Sequence, residues 1–116
     1  MTYNAPVNQI TDTLSDIARI NDLAATGGFP NFDGELIAPI LDEANKLARD
    51  VLSPLNPVGH KHGVKLTDAG VVSAPGFSDA YGRFCEGGWM GLAFPEEFGG
   101  QGLPKTMALA VMEMMH

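Results

Sequence analysis

The sequence predicts an all-α fold, a small helical domain of about four helices with one short β-hairpin. Apolar residues recur three and four positions apart over four stretches of the chain, which is the period of amphipathic helices. Two short apolar runs flank a turn-forming sequence between residues 64 and 73. Hydrophobic residues make up 45% and charged residues 18% of the 116 residues. That composition is typical of one globular domain with a single core.

The first predicted helix begins near residue 7 and ends near the glycine pair at 27–28. Its polar positions fall between the apolar ones, so one face should be buried. The apolar positions are Val7, Ile10, Leu14, Ile17 and Ala18.

The second predicted helix follows Asp33, a residue type that caps helix N-termini. Pro39 either kinks this helix after its first turn or marks the first position of a shorter one. The prolines of Ser53-Pro54 and Asn56-Pro57 are expected to end it. Its apolar positions are Leu36, Ile37, Ile40, Leu41, Ala44, Leu47, Ala48, Val51 and Leu52.

The hairpin is predicted to pair residues 64–66 with residues 71–73 around the turn sequence Thr67-Asp68-Ala69-Gly70. Because an isolated hairpin is marginal in water, we expect this one to rest on the helices.

The third helix is predicted from an apolar stripe that the glycines at 87–88 end. That stripe consists of Phe77, Ala80, Tyr81, Phe84 and Cys85. Since Cys85 lies on the stripe, it is expected to be a small buried hydrophobe and not a reactive thiol.

The fourth helix begins near Thr106 and is apolar on almost every side. Such a helix is normally buried on every side, so we expect the domain of residues 1–116 to be cut within it and completed by further chain. Left alone, its exposed methionines would favour self-association. The methionines are Met107, Met112, Met114 and Met115.

A glycine-rich segment, residues 88–103, joins the third and fourth predicted helices. Five glycines before Leu103 alternate with Trp89, Phe94, Phe98 and Leu92, which indicates a tightly packed irregular connection in the core. The order Gly-Trp, Gly-Leu, Pro-Glu-Glu, aromatic, Gly-Gly and Gly-Leu resembles the signature of the acyl-CoA dehydrogenase N-terminal domain.

Further residues extend this resemblance over essentially the whole chain, to a long subgroup of the family. They lie at Tyr3 to Val7, Ile40 to Ala44 and Val51 to Asn56, at Gly63, Leu66 and Val71, and in Pro75-Gly76-Phe77 with Ala80-Tyr81, with a departure at His60. The resemblance implies an FAD-dependent enzyme that dehydrogenates an acyl-CoA thioester between its α and β carbons. It also implies that the flavin site, the catalytic glutamate and the helix lining the acyl pocket lie outside these residues. The isolated chain is therefore expected to be inactive and to have no catalytic, cofactor-binding or metal-ligating residue.

Two motifs in the glycine-rich segment allow other interpretations. Glu96 and Glu97 could form a carboxylate pair, but neighbouring residues of an extended stretch point to opposite faces. Gly99-Gly100-Gln101-Gly102 followed by Lys105 could bind phosphate, but it lacks Walker spacing and a preceding strand. A structural role is favoured for both.

A metal site is not favoured, because His60, His62 and the distant Cys85 offer no fourth ligand. The histidines are expected to be solvated residues of a loop.

Charge and composition exclude several partners. The net charge is −7, and the seven basic residues are scattered, which argues against nucleic acid and against a membrane surface. No apolar run approaches the roughly 20 residues of a membrane span, and the start of the chain has no signal-peptide pattern. A single cysteine fits the cytoplasm.

The resemblance implies that the partners are the remaining domains of the same enzyme, acyl-CoA and other copies in a homo-oligomer. The alternative is a stand-alone helical binding or scaffold domain without catalysis, whose last helix is the interaction surface. The reading frame beyond His116 discriminates between these two hypotheses.

Overall fold

The computed structural model describes residues 2–116, and the helices and the hairpin of this range confirm the predicted all-α class. Six α-helical segments occur there, where about four helices are predicted. The helices are α1 Val7–Asp12, α2 Ile20–Ala25, α3 Ile37–Leu47, α4 Leu55–His62, α5 Phe77–Glu86 and α6 Lys105–Met115. The strands are β1 Lys65–Thr67 and β2 Gly70–Val72.

The first predicted helix is broken into two. A π-helical turn, Thr13–Ile17, continues α1, and Arg19 then takes a left-handed conformation with φ of 53° before α2 begins. The wider turn rotates the following side chains away from the buried face. Leu14 is buried, but Ile17 is 78% exposed and Ala18 is also exposed. The prediction that Ile17 and Ala18 belong to the apolar face is therefore wrong.

The second predicted helix is capped as expected. The Asp33 carboxylate accepts a hydrogen bond of 2.8 Å from the Glu35 backbone N–H, and a 3₁₀ turn at Gly34–Leu36 leads into α3. Pro39 is the third residue of α3, so it does not occupy the first position of the helix. The first turn has no intrahelical partner for a backbone N–H, so a proline is tolerated there.

The second predicted helix ends at Ser53-Pro54 as expected, but Pro57 lies within a further helix, α4, which follows at once. A π-helical turn, Ala48–Leu52, extends α3, and its last hydrogen bond joins Ser53 N to Ala48 O at 2.7 Å. Pro54 precedes α4 as its N-cap residue, and Pro57 is the third residue of α4. The sequence pattern does not predict α4, because a proline in the first turn of a new helix is indistinguishable by pattern from one that ends the preceding helix.

The predicted hairpin is confirmed, but the predicted packing of its apolar residues on the helices is not. Leu66 pairs with Val71, and Lys65 pairs with Val72, in an antiparallel ladder. Leu66 is 84% exposed and Val71 is 72% exposed. The hairpin therefore does not lay an apolar face on the helices, as was expected.

The core lies where α3 meets α1 and α6. Leu41 of α3 and Met107 and Val111 of α6 have no exposed surface. Ala110 and Met114 complete the buried face of α6, whereas Leu109 on its other side is 71% exposed. The helix is thus apolar all round but buried only on one side, and Met112 and Met115 are half-buried.

The N-terminal strap, residues 3–6, is held by two side chains, because Tyr3 N donates to Ser53 Oγ at 3.3 Å and Asn45 makes two further hydrogen bonds. Asn45 Oδ1 accepts a hydrogen bond of 2.8 Å from Ala5 N, and Asn45 Nδ2 donates one of 2.9 Å to Asn4 Oδ1. Ala5 is buried beneath this contact. The Asn45 amide therefore fixes the middle of the strap, through its oxygen and through its nitrogen.

Asn45→Ala is expected to lower the free energy of unfolding by about 1–2 kcal/mol. Two hydrogen bonds are lost, each worth about 0.5–1.5 kcal/mol, and the gain in helix propensity offsets part of the loss. Urea denaturation followed by circular dichroism measures the change. The control Asn8→Ala, at an exposed position of α1, should stay within about 0.5 kcal/mol of the parent chain. Equal midpoints for the two variants would show that Asn45 does not hold the strap.

Candidate functional site

The glycine-rich segment folds back on itself through its own backbone. Gln101 N donates to Gly91 O at 3.0 Å, Leu103 N to Leu92 O at 2.9 Å, and Gly102 N to Phe94 O at 2.9 Å. Two 3₁₀ turns, Trp89–Gly91 and Glu96–Phe98, form the corners. The result is a closed loop between α5 and α6, whose two arms, residues 91–94 and 101–103, are hydrogen-bonded to each other.

Glycine is required at the end of the second 3₁₀ turn. Gly99 has φ of 83°, a left-handed conformation that residues with a Cβ rarely adopt. Its N–H donates to Glu96 O at 2.9 Å, which closes the turn and sends the chain back toward α6.

Only part of the segment is buried. Leu92 and Leu103 are 2% and 5% exposed, and Trp89 packs half-buried against the same core. Phe94 and Phe98 are exposed, at 54% and 77%. The predicted packing inside the core therefore holds for the two leucines and partly for the tryptophan, but not for the two phenylalanines.

The structure places Glu96 and Glu97 next to each other at the surface of the loop. They lie on a 3₁₀ turn and not on the extended stretch that the sequence indicated, and both are exposed. Glu96 Oε1 accepts a hydrogen bond of 2.5 Å from Asn31 Nδ2. This carboxylate therefore ties the loop to the chain before α3, a structural role.

The phosphate-loop interpretation is excluded by the hydrogen bonds of the loop itself. A phosphate loop presents free backbone N–H groups to its ligand. Here the N–H groups of Gly99, Gly100, Gln101 and Gly102 all donate to carbonyls of the same segment, at 2.9–3.1 Å. The four donors are occupied, so the packing role predicted for these glycines is supported.

The two histidines and the cysteine lie on different helices. His60 and His62 are exposed residues near the end of α4, not of a loop as predicted. No group of three or more His, Cys, Asp and Glu side chains that could hold a metal occurs within residues 2–116.

Cys85 is exposed on α5, so the prediction that it is a buried hydrophobe is wrong. Of the predicted stripe, only Ala80 and Phe84 are buried. The Cys85 thiol, one helical turn away, raises the pKa of the exposed Tyr81 hydroxyl, which is a local effect of two neighbouring groups.

Two open grooves flank the core. One lies between α1 and α6, with Ile10, Leu14 and Leu109 in its walls. The other lies between α4 and α5, with Leu55, Phe84 and Met115 in its walls. Both are mainly apolar, so they suit the packing of other protein segments better than acid–base chemistry.

The chain matches a known family over most of its length. Residues 38–116 match the sequence model described as acyl-CoA dehydrogenase, N-terminal domain. The chain therefore belongs to the acyl-CoA dehydrogenase N-terminal domain family, which confirms the predicted resemblance. Among curated proteins it is similar to the 3-methylmercaptopropionyl-CoA dehydrogenase of Ruegeria pomeroyi, with 29% identity over 116 residues.

The match to this relative covers 100% of the chain and 20% of the relative. The chain thus spans about a fifth of the length of the curated relative it matches. Among the helices described over residues 2–116, none has both the length and the apolar character needed to cross a membrane.

Proposed function

We propose that this chain is the N-terminal domain of an FAD-dependent acyl-CoA dehydrogenase and that it walls one side of the flavin and acyl site. The observation that carries the proposal is the glycine-rich segment. It matches the family signature, and it closes on itself with every N–H of residues 99–102 bonded within the loop. A loop of this kind supplies a fixed apolar surface, and it leaves the chemistry to other groups.

The glycine-rich segment does not fit a flavin site of its own. The pyrophosphate of FAD is held by free backbone N–H groups or cationic side chains. The N–H groups of residues 99–102 are already bonded, and Lys105 is the only basic residue between Gly87 and His116. We therefore assign the flavin site and the catalytic base to the rest of the longer polypeptide.

The substrate class proposed is an acyl-CoA thioester, which the intact enzyme would dehydrogenate between its α and β carbons. The Ruegeria pomeroyi relative is named as an acyl-CoA dehydrogenase of this kind. It is about five times as long as this chain, which leaves room for the remaining domains. We further propose a homo-oligomeric enzyme of the cytoplasm.

A binding or scaffold domain without catalysis is the second candidate. The exposed apolar residues Leu109, Leu66 and Val71 favour it, because patches of this kind mark interaction surfaces. In that case a partner protein, and not further domains of the same chain, would cover them.

Expression of the whole reading frame that contains these residues tests the proposal. We expect a yellow protein with about one FAD per chain that reduces an electron-accepting dye only when an acyl-CoA is added. The isolated 116-residue chain, prepared in parallel, is expected to be colourless.

Two results would contradict the proposal. A whole-frame product without flavin, or a frame that codes for nothing beyond these residues, would favour the scaffold role. Stoichiometric flavin on the isolated chain would show that the cofactor site was assigned to the wrong part of the protein.

A further inference from the structure

One face of the hairpin is apolar and lies in water. Leu66 and Val71 are direct partners across the two strands. Val64 directly precedes β1 and is exposed as well. These three residues, named here the hairpin face, are 71% exposed at Val64, 84% at Leu66 and 72% at Val71. Lys65 pairs with Val72 on the opposite face, so the hairpin face carries no charge.

The hairpin is preformed by its turn. Thr67 Oγ1 donates to Gly70 O at 2.9 Å and accepts from Ala69 N at 3.2 Å. A two-stranded hairpin is nevertheless marginal in water unless something covers a hydrophobic face. Neither the helices nor the loops of residues 2–116 cover this one. The hairpin face therefore has the properties of a contact surface whose other half is not in these residues.

The size and charge of this surface argue against a second copy of the chain as its partner. A valine or leucine side chain covers roughly 60–120 Å² when fully buried, so three cover about 200–350 Å². A stable complex of separate proteins needs about 800 Å² from each partner. Each copy also carries a net charge of −7, which opposes self-association.

A partner on the same polypeptide does not need so large a contact area. A covalent link supplies a high effective concentration, so a small apolar contact is sufficient. We propose that the hairpin face docks on an uncharged apolar surface in the remainder of the same polypeptide. This inference rests on the proposed function, since it requires the longer enzyme.

Amide hydrogen exchange over residues 64–73, compared between the isolated chain and the whole-frame protein, tests the docking. The exchange of these amides should be slower by about tenfold or more in the whole-frame protein. The double substitution Leu66→Thr with Val71→Thr should remove that protection. Threonine keeps the strand propensity of a β-branched residue while it replaces apolar surface with a hydroxyl. The control Val72→Thr, on the opposite face of the same strand, should keep the protection.

Two outcomes would overturn the inference while the proposed function stands. Equal exchange in both proteins, with flavin and dye reduction present in the whole-frame product, would show that the hairpin face docks on nothing there. Protection of the isolated chain that rises with concentration, with a doubled mass in light scattering, would assign the face to a second copy. Loss of flavin and activity is instead a failure of the proposed function, and the exchange measurement does not depend on either.

Discussion

Met107→Ala lowers the free energy of unfolding by about 3 kcal/mol, within the 2–5 kcal/mol that such truncations of core residues cost. The Met107 side chain has no exposed surface and lies in the core where α6 packs on α3. Its removal leaves a cavity among side chains such as Leu41 and Val111, which are also fully buried. Alanine is a better helix former than methionine by only a small amount, so propensity does not compensate.

Leu109→Ala is the matched control on the same helix. Leu109 is 71% exposed and two residues away from Met107, so its truncation should change stability by no more than about 0.5 kcal/mol. Urea denaturation with a common slope for both variants gives the difference directly. If the two variants unfold at the same urea concentration, α6 does not pack on α3 in the way described.

The pair also shows what the sequence of α6 could predict and what it could not. Its apolar residues predicted a helix starting one residue from the observed start at Lys105. They did not predict which side is buried, because Met107 and Leu109 are equally apolar and periodicity needs a polar face to give a direction. In the structure the buried residues of α6 are Met107, Ala110, Val111 and Met114.

The two π-helical turns and α4 could not be predicted from the sequence pattern either. A 3.6-residue period is assumed when a face is assigned, so a single wider turn displaces every later residue. Ile17 is the clearest case, since it follows Leu14 at helical spacing and still faces solvent. In α4 the first-turn position of Pro57 depends on where the helix begins, which local sequence did not determine.

The glycine-rich segment was predictable as a structural connection, and its spacing carried the family resemblance. The exposure of Phe94 and Phe98 was not predictable, because burial depends on neighbours and not on residue type alone. The same reason applies to the hairpin and to Cys85. Leu66, Val71 and Cys85 lie on faces that the pattern marks as apolar, and all three are exposed in the structure.

Gly100→Ala is the second substitution for which we expect a large effect. It should lower the free energy of unfolding by about 3 kcal/mol, the upper end of the usual cost of overpacking. Gly100 does not need glycine for its φ, since its backbone is not left-handed. The requirement is space: a Cβ at this position would lie closer than 3.0 Å to three atoms of Phe94, two of which are backbone. A side chain could rotate away, but the Phe94 carbonyl is held by its hydrogen bond from Gly102 N.

Gly82→Ala provides the opposite control. Gly82 lies inside α5, and a Cβ built there meets nothing within 4 Å. This substitution should raise stability by about 0.5–1 kcal/mol, because glycine is unfavourable within a helix. The two glycine-to-alanine changes are thus predicted to shift the urea midpoint in opposite directions, which no general effect of alanine can produce.

A Gly100→Ala variant as stable as the parent chain would mean that the arms of the glycine-rich segment are not closed against each other. The loop could not then serve as the fixed wall that we propose for the enzyme.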